Sequence, residues 1–329
     1  MPRVSRAPSH ASSWYAAEPA KLEQQIDAWL AKAGGPADGP GAAGVIAPHA
    51  GYSYCGHVMA HAYRHIKPDS VLRVFVLGPS HYLATRKCML SPAAEYSTPL
   101  GKLAVDAGVY AELRATGAFE TMSLDADEAR GEAAGQGEGA GQAGRRRGAP
   151  GCRPPSAAWR PARAQAEHSL ELHTPYIAKI MAGRPFTLVP IMVGALSTEG
   201  EASYGRLLAP YLGAPGNVFV VSSDFCHWGG RFRYTWTRAS GGPIWGDIEW
   251  LDRAGMEAIA GGDPAAFTAY LAAYRNTICG RHPIAVLLQM VSASARRFSI
   301  EFNCYDQSSK ATAPGDSSVS YASAVVTAL

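Results

Sequence analysis

No apolar run in this 329-residue chain approaches the roughly 20 residues needed to cross a bilayer, which excludes a helical membrane span. The N-terminal MPRVSRAPSHASSWY lacks the continuous apolar stretch of a secretory signal. Its Ser, Ala and Arg with no acid would suit a short transit peptide, whereas Trp14 and Tyr15 read as the start of folded structure. Cys55, Cys88, Cys152, Cys226, Cys279 and Cys304 form no CxxC pair and no regular framework. They read as reduced thiols of a cytoplasmic protein, with at most one engaged in chemistry. The chain has no internal repeat and no evident linker between domains. Nor is it basic throughout. The formal charge of +3 arises in residues 129–166, where seven Arg and two Glu contribute +5 and leave −2 for the remainder. That stretch has eight Gly and no Ile, Leu, Val, Met, Phe or Tyr, so it cannot bury enough apolar surface to offset its ordering entropy. A disordered insertion is expected there. Arg145, Arg146 and Arg147 are consecutive and could serve as a basic arm, but a spacer or a mistranslated intron accounts for the composition, and no nucleic-acid partner is expected.

What the chain does have is 47% hydrophobic residues, enough for a sizeable core, and a pattern that occurs three times. VIAPH (45–49), VFVLGPSH (74–81) and VFVVSSDFCH (218–227) are each an apolar, β-branched run ending in a turn that carries His or an acid. Such runs suggest strands buried on both faces. Ligands of parallel sheets collect outside the carboxyl ends of the strands, so His49, His81, Asp224 and His227 would share one edge.

Around these strands the periodicity predicts helices at 18–33, 55–66, 106–116, 167–181, 198–212, 247–260 and 264–274, and one beginning at Pro283. Strands are predicted at 86–90, 186–194, 298–304 and 318–327. The alternation favours right-handed crossovers: an α/β fold, a single domain over 1–329 with a mixed, mostly parallel central sheet flanked by helices.

The chemistry concentrates in four segments. In APHAGYSYCG and GPSHY, His49 and His81 stand at equivalent positions, read as adjacent strand ends, and two neutral imidazoles there suit a divalent transition metal. Either one alone would read as a turn histidine bonded to backbone. In NTICGRHP, Cys279 precedes a helix with Pro283 in its first turn. Helix N–H groups and the dipole are expected to lower its thiol pKa, making thiolate available as ligand or nucleophile; the bland alternative is a small buried hydrophobe. In SSDFCHWG, Asp224 and His227 suit proton transfer or ligand orientation, although Asp224 could simply cap a helix, and Cys226 reads as packing. Two further clusters are weighed. His57, His61 and His65 have helical spacing, but no Glu follows the first His, so the metalloprotease motif is absent. Glu167, His168, Glu171 and His173 could supply an acid or base behind a ligand, or Glu167 a helix N-terminal charge.

Together APHAGYSYCG, LGPSH, EHSLELHTPY, VVSSDFCHWG and NTICGRHPI resemble the Memo family, named for mediator of cell motility. The resemblance runs from SWY at 13–15 to DSSVSYASA at 316–324. It implies a fold similar to class III extradiol dioxygenases, whose non-heme iron is held by two histidines and a carboxylate. It maps the metal ligands onto His49, His81 and Cys279, the acid/base histidine onto His227 with Asp224 beside it, and cleft aromatics onto Trp14 and Tyr54. DADE (125–128) and EHSLE (167–171) are adjacent in the family's pattern, so residues 129–166 split one motif. A thiolate in place of the carboxylate is softer and favours iron or copper redox chemistry. The resemblance therefore implies a metal-binding protein, iron or copper, with a possible dioxygenase-like redox activity linked to cell-motility signalling. Two alternatives stand beside it: a non-enzymatic adaptor whose cleft binds a peptide or phosphopeptide, and a cysteine hydrolase with Cys279 as nucleophile and His227 as base.

Overall fold

The computed structural model describes residues 4–122, 167–238 and 241–329; the insertion expected at 129–166 lies outside these residues. The strands are β1 (Ser5–Arg6), β2 (Gly44–Ala47), β3 (Arg73–Pro79), β4 (Cys88–Leu90), β5 (Glu95–Thr98), β6 (Gly101–Ala104), β7 (Glu120–Thr121), β8 (Thr187–Val193), β9 (Asn217–Ser222), β10 (His227–Gly229), β11 (Phe298–Gln307) and β12 (Ser317–Ala328). The main sheet has the order β10-β12-β2-β9-β3-β8-β4-β7, with β11 also on β12; β1, β5 and β6 form a small second sheet. β2, β9, β3 and β8 are mutually parallel. Antiparallel pairing begins on either side of them, at β12 and at β4.

Side-chain alternation along the four central strands explains why they read as continuous apolar runs. Ile46, Phe75, Leu77, Phe219 and Val221 enter one core, with the helices Thr198–Gly213, Ile244–Ala260, Pro264–Tyr274 and Arg281–Ala293. Val45, Ala47, Val74, Val76, Val218 and Val220 enter the other, with the helices Pro19–Lys32, Tyr52–Tyr63 and Thr174–Ile180. Each fully buried Val, Ile or Phe contributes about 1.5–3 kcal/mol, so burial on both faces, not the turns, holds the strands in place. Close helix packing needs glycine at Gly56, where a Cβ would overlap the Trp29 ring, and at Gly205, where it would run into Gln289.

The mixed α/β sheet flanked by helices agrees with the sequence reading, and three details differ. β2 and β3 are not neighbours, because β9 lies between them, pairing Ala47 with Ser222 and Leu77 with Val221. The helix expected at 167–181 is two short helices, His168–Glu171 and Thr174–Ile180, offset at Leu172 and His173. The helix expected to begin at Pro283 begins at Arg281. No helix among the described residues is long and apolar enough to cross a membrane.

Candidate metal centre

Strand order brings the turns after β2, β9 and β3 side by side, so that His49 and His81 come from non-adjacent strands on either side of Asp224, yet their rings meet edge-on with centroids 5.2 Å apart. The helix Arg281–Ala293 approaches the same edge from one side, and Cys279 lies in the turn ahead of it. Donor atoms of His49, His81 and Cys279 lie within 4.8 Å of one another.

Each imidazole is held in one tautomer by a partner behind it. The Ser222 hydroxyl donates to the Ser169 carbonyl, so its oxygen must accept from His49 Nδ1–H, at 2.6 Å. That leaves the His49 Nε2 lone pair facing the other donors. Burial keeps His49 neutral, lowering its pKa well below the ordinary value, and the charges of His81 and His168 act in the same direction. Glu167 accepts twice from His81, from its backbone N–H at 2.6 Å and from Nδ1 at 2.8 Å. Burial opposes charge on both partners, yet their bond outweighs it: the Glu167 pKa falls to about 2 and that of His81 rises. A carboxylate behind an imidazole in this way fixes its orientation and raises its basicity as a ligand. His168 stacks on His81 with ring centroids 4.5 Å apart, and burial, with the charge of His81, lowers its pKa to about 3.

The sulfur of Cys279 is 3.2 Å from His49 Nε2 and accepts the Asp224 backbone N–H at 3.2 Å. The expectation of a lowered thiol pKa is overturned. Burial, followed by the charge of Asp224, pushes it well above the ordinary value and outweighs the backbone N–H groups near the sulfur. The thiol therefore keeps its proton and donates it toward the free lone pair of His49. A metal bound there would have to replace that proton. Two imidazole lone pairs and one sulfur, converging with their supports in place, fit a transition-metal ion.

Asp224 does not cap a helix. Its buried carboxylate accepts the backbone N–H groups of His49 and Ala50, and so pins the turn that presents His49. Burial raises its pKa, against the opposing charge of His227. His227 opens β10, where Thr277 Oγ1 accepts its N–H at 2.7 Å and donates to its carbonyl at 3.0 Å. His227 Nδ1–H donates to the Phe225 carbonyl, which leaves Nε2 as its free nitrogen. Cys226 is buried in the core, as read.

His49, His81, Asp224 and His227 open into a cleft of about 480 Å³ that is also lined by Trp14, Tyr54, His168, Arg231, Phe232 and Tyr321. Trp14 packs on His168 at 4.6 Å, and Tyr54 is 57% exposed. Glu171 lies behind this wall as a buried hub. It accepts from Arg6, from the Ser9 hydroxyl, from both the backbone and the ring of His10, and from the Tyr15 hydroxyl. That hub straps the N-terminal segment, and with it Trp14, against the site. The helical histidines stay apart: His57 pairs with Asp306, and Asn303 bonds His65 and the carbonyl of His61. Ser222 and Arg231 went unread in the sequence. A Ser ending an apolar strand beside two histidine turns was the available signal for the first; nothing marked the second.

The sequence profile described as Memo-like protein matches residues 6–132 and 157–325, leaving a gap inside the Gly- and Arg-rich stretch. The chain is 46% identical over 325 residues to Protein MEMO1 of Danio rerio, covering 97% of this chain and 96% of that protein. Over 329 residues it is 42% identical to Protein MEMO1 of Homo sapiens, covering 98% of each. It is also 39% identical to Protein memo-1 homolog of Caenorhabditis elegans, covering 98% of this chain and 82% of the relative.

Proposed function

We propose that this chain, which belongs to the Memo-like protein family, holds one iron or copper ion on His49, His81 and Cys279 and uses it for redox chemistry on a small molecule in the cleft. The observation that carries this reading is the convergence of the three donors within 4.8 Å, each imidazole turned by its own partner, Ser222 or Glu167. Nitrogen and sulfur donors suit iron and copper; magnesium and calcium take oxygen. When bound, the ion would supply one-electron chemistry and a positive centre for a ligand oxygen.

The chain's own residues do the remainder. Glu167 holds His81 upright and balances its charge, and Ser222 does the corresponding work for His49 without charge. His227 Nε2, its Nδ1 committed to the Phe225 carbonyl, takes or gives a proton to a ligand in the cleft. Asp224 acts through the His49 turn, as a positioning residue. Trp14 and Tyr54 flank the ligand with aromatic surface. A cytoplasmic setting, where thiols stay reduced, and a link to cell-motility signalling belong to the same proposal and rest on the family.

The hydrolase alternative gains no support from geometry, since Cys279 meets His49 and no hydrogen bond joins it to His227 among the described residues. Anaerobic loading with Co(II) tests the assignment. A sulfur-to-cobalt absorption band is expected in the parent and absent in Cys279→Ser, whereas His227→Ala should keep the band and lose oxidation rate. A band that survives Cys279→Ser, or disappears in His227→Ala, contradicts the assigned roles.

A further inference from the structure

Arg231 lies in the short 3-10 turn Gly230–Phe232 that follows β10, and lines the same cleft as His227. Among the described residues, Arg231 is the single Lys or Arg on its wall. Its guanidinium lies over the Phe232 ring at 4.4 Å, and Phe232 meets the His227 ring edge-on at 5.2 Å. Arg6, Arg73, Arg184, Arg238 and Arg253 are in ion pairs with Asp or Glu, whereas Arg231, exposed at the cleft, is not. Arg231 has no carboxylate and no hydrogen-bond acceptor as a partner among the described residues. The acids near the site are already committed, Glu167 to His81 and Asp224 to the His49 turn.

We infer that the cleft selects a planar aromatic carboxylate, with Arg231 as the residue that recognises its anionic end. This rests on the proposed metal site and names the ligand class for it. A stacked guanidinium keeps its N–H fork preorganised in one plane, the shape that pairs bidentately with a carboxylate. One such fork, with no second Lys or Arg on the cleft wall among the described residues, matches a monoanion better than a phosphate dianion. The aromatic body then lies between Trp14, Tyr54 and Phe232, and its far end points inward to His227 and the metal ligands. A cleft of about 480 Å³ is of the size that encloses a small organic ligand.

Calorimetric titration of the full chain with benzoate, benzyl alcohol and phenyl phosphate, with and without anaerobic Fe(II), tests the inference. Benzoate should bind at least about tenfold more tightly than benzyl alcohol, as one charge-assisted pair allows. Arg231→Met should erase that preference and Arg231→Lys should keep part of it, with Fe(II) uptake unchanged in both. Equal affinity for benzoate and benzyl alcohol, no binding of either, or a preference that survives in Arg231→Met overturns the inference. Phenyl phosphate binding more tightly than benzoate overturns the carboxylate in favour of a phosphate ester. Failure of Fe(II) uptake by the parent chain would sink the metal reading separately, because Arg231 is not a ligand and the benzoate preference is measurable on metal-free protein.

Discussion

Glu167 takes both the backbone N–H and the ring Nδ1–H of His81, at 2.6 and 2.8 Å, so one buried carboxylate sets both the turn and the ring of a residue 86 positions away in sequence. Glu167, lowered from 4.5 to about 2, contributes stability that is present above pH 4.5 and lost as pH falls through about 2. His81, raised above 6.5, contributes stability that is full below 6.5 and lost as pH rises through its folded value. Proton and metal compete for His81 Nε2, so metal affinity should climb as pH rises through that value. In Glu167→Gln the His81-linked part of the climb should move to lower pH, and affinity at a fixed pH above it should fall about 10- to 100-fold, while the part linked to the Cys279 thiol continues at higher pH in both. Competition titration with a chromophoric chelator at several pH values measures both effects, and an unchanged pH profile would contradict the pairing.

Ser222→Ala should cost more than its size suggests. It leaves His49 Nδ1–H and the Ser169 carbonyl without their partner in a buried site, about 1–3 kcal/mol of stability for each unsatisfied group. It also frees the His49 tautomer, and metal affinity should fall by about tenfold or more. Urea denaturation of the metal-free protein separates the first loss from the second.

Gly280→Ala probes the approach of the Cys279 turn to β9. A Cβ there would run into the Ser222 carbonyl oxygen and the Ser223 side chain. The turn must retreat, carrying the sulfur away from His49. The variant should keep its far-ultraviolet circular dichroism and lose the Cys279-dependent cobalt band; a retained band would show that the turn can yield without moving the sulfur.

Glu171→Ala should be among the most destabilising substitutions, at about 3–5 kcal/mol, because it strands the buried Arg6 guanidinium that it pairs at 2.8 Å. Burial opposes the charge of Glu171, but the bonds from His10 and the charge of Arg6 hold its pKa below the ordinary 4.5. Its contribution is therefore present above pH 4.5 and lost as pH falls below it. Stability of the parent should fall steadily as pH drops below 4.5, and Glu171→Gln should flatten that dependence.

The three converging donors were legible because each stands at a recognisable boundary: His49 and His81 end β-branched runs, and Cys279 stands ahead of an apolar helix. Strand order was not. Periodicity identifies β2, β3 and β9 individually, but their order comes from long-range pairing that no local window contains. The short strands β1, β7 and β10 are too brief to display a period, so the seat of His227 on β10 was missed. Burial of Cys279 was equally invisible, and burial reversed the expected direction of its thiol pKa. Ser222 looked like any strand-ending serine, because its work depends on Ser169, 53 residues away. Arg231 gained meaning only when the fold brought it to the cleft beside Phe232.

Elemental analysis of anaerobically purified protein, alongside His49→Ala/His81→Ala, tests the central claim most directly. The account predicts close to one iron or copper per chain in the parent and none in the double variant, both before and after loading with Fe(II) or Cu(I). Metal-free parent protein after loading, or a double variant that retains the parent's metal, would contradict it.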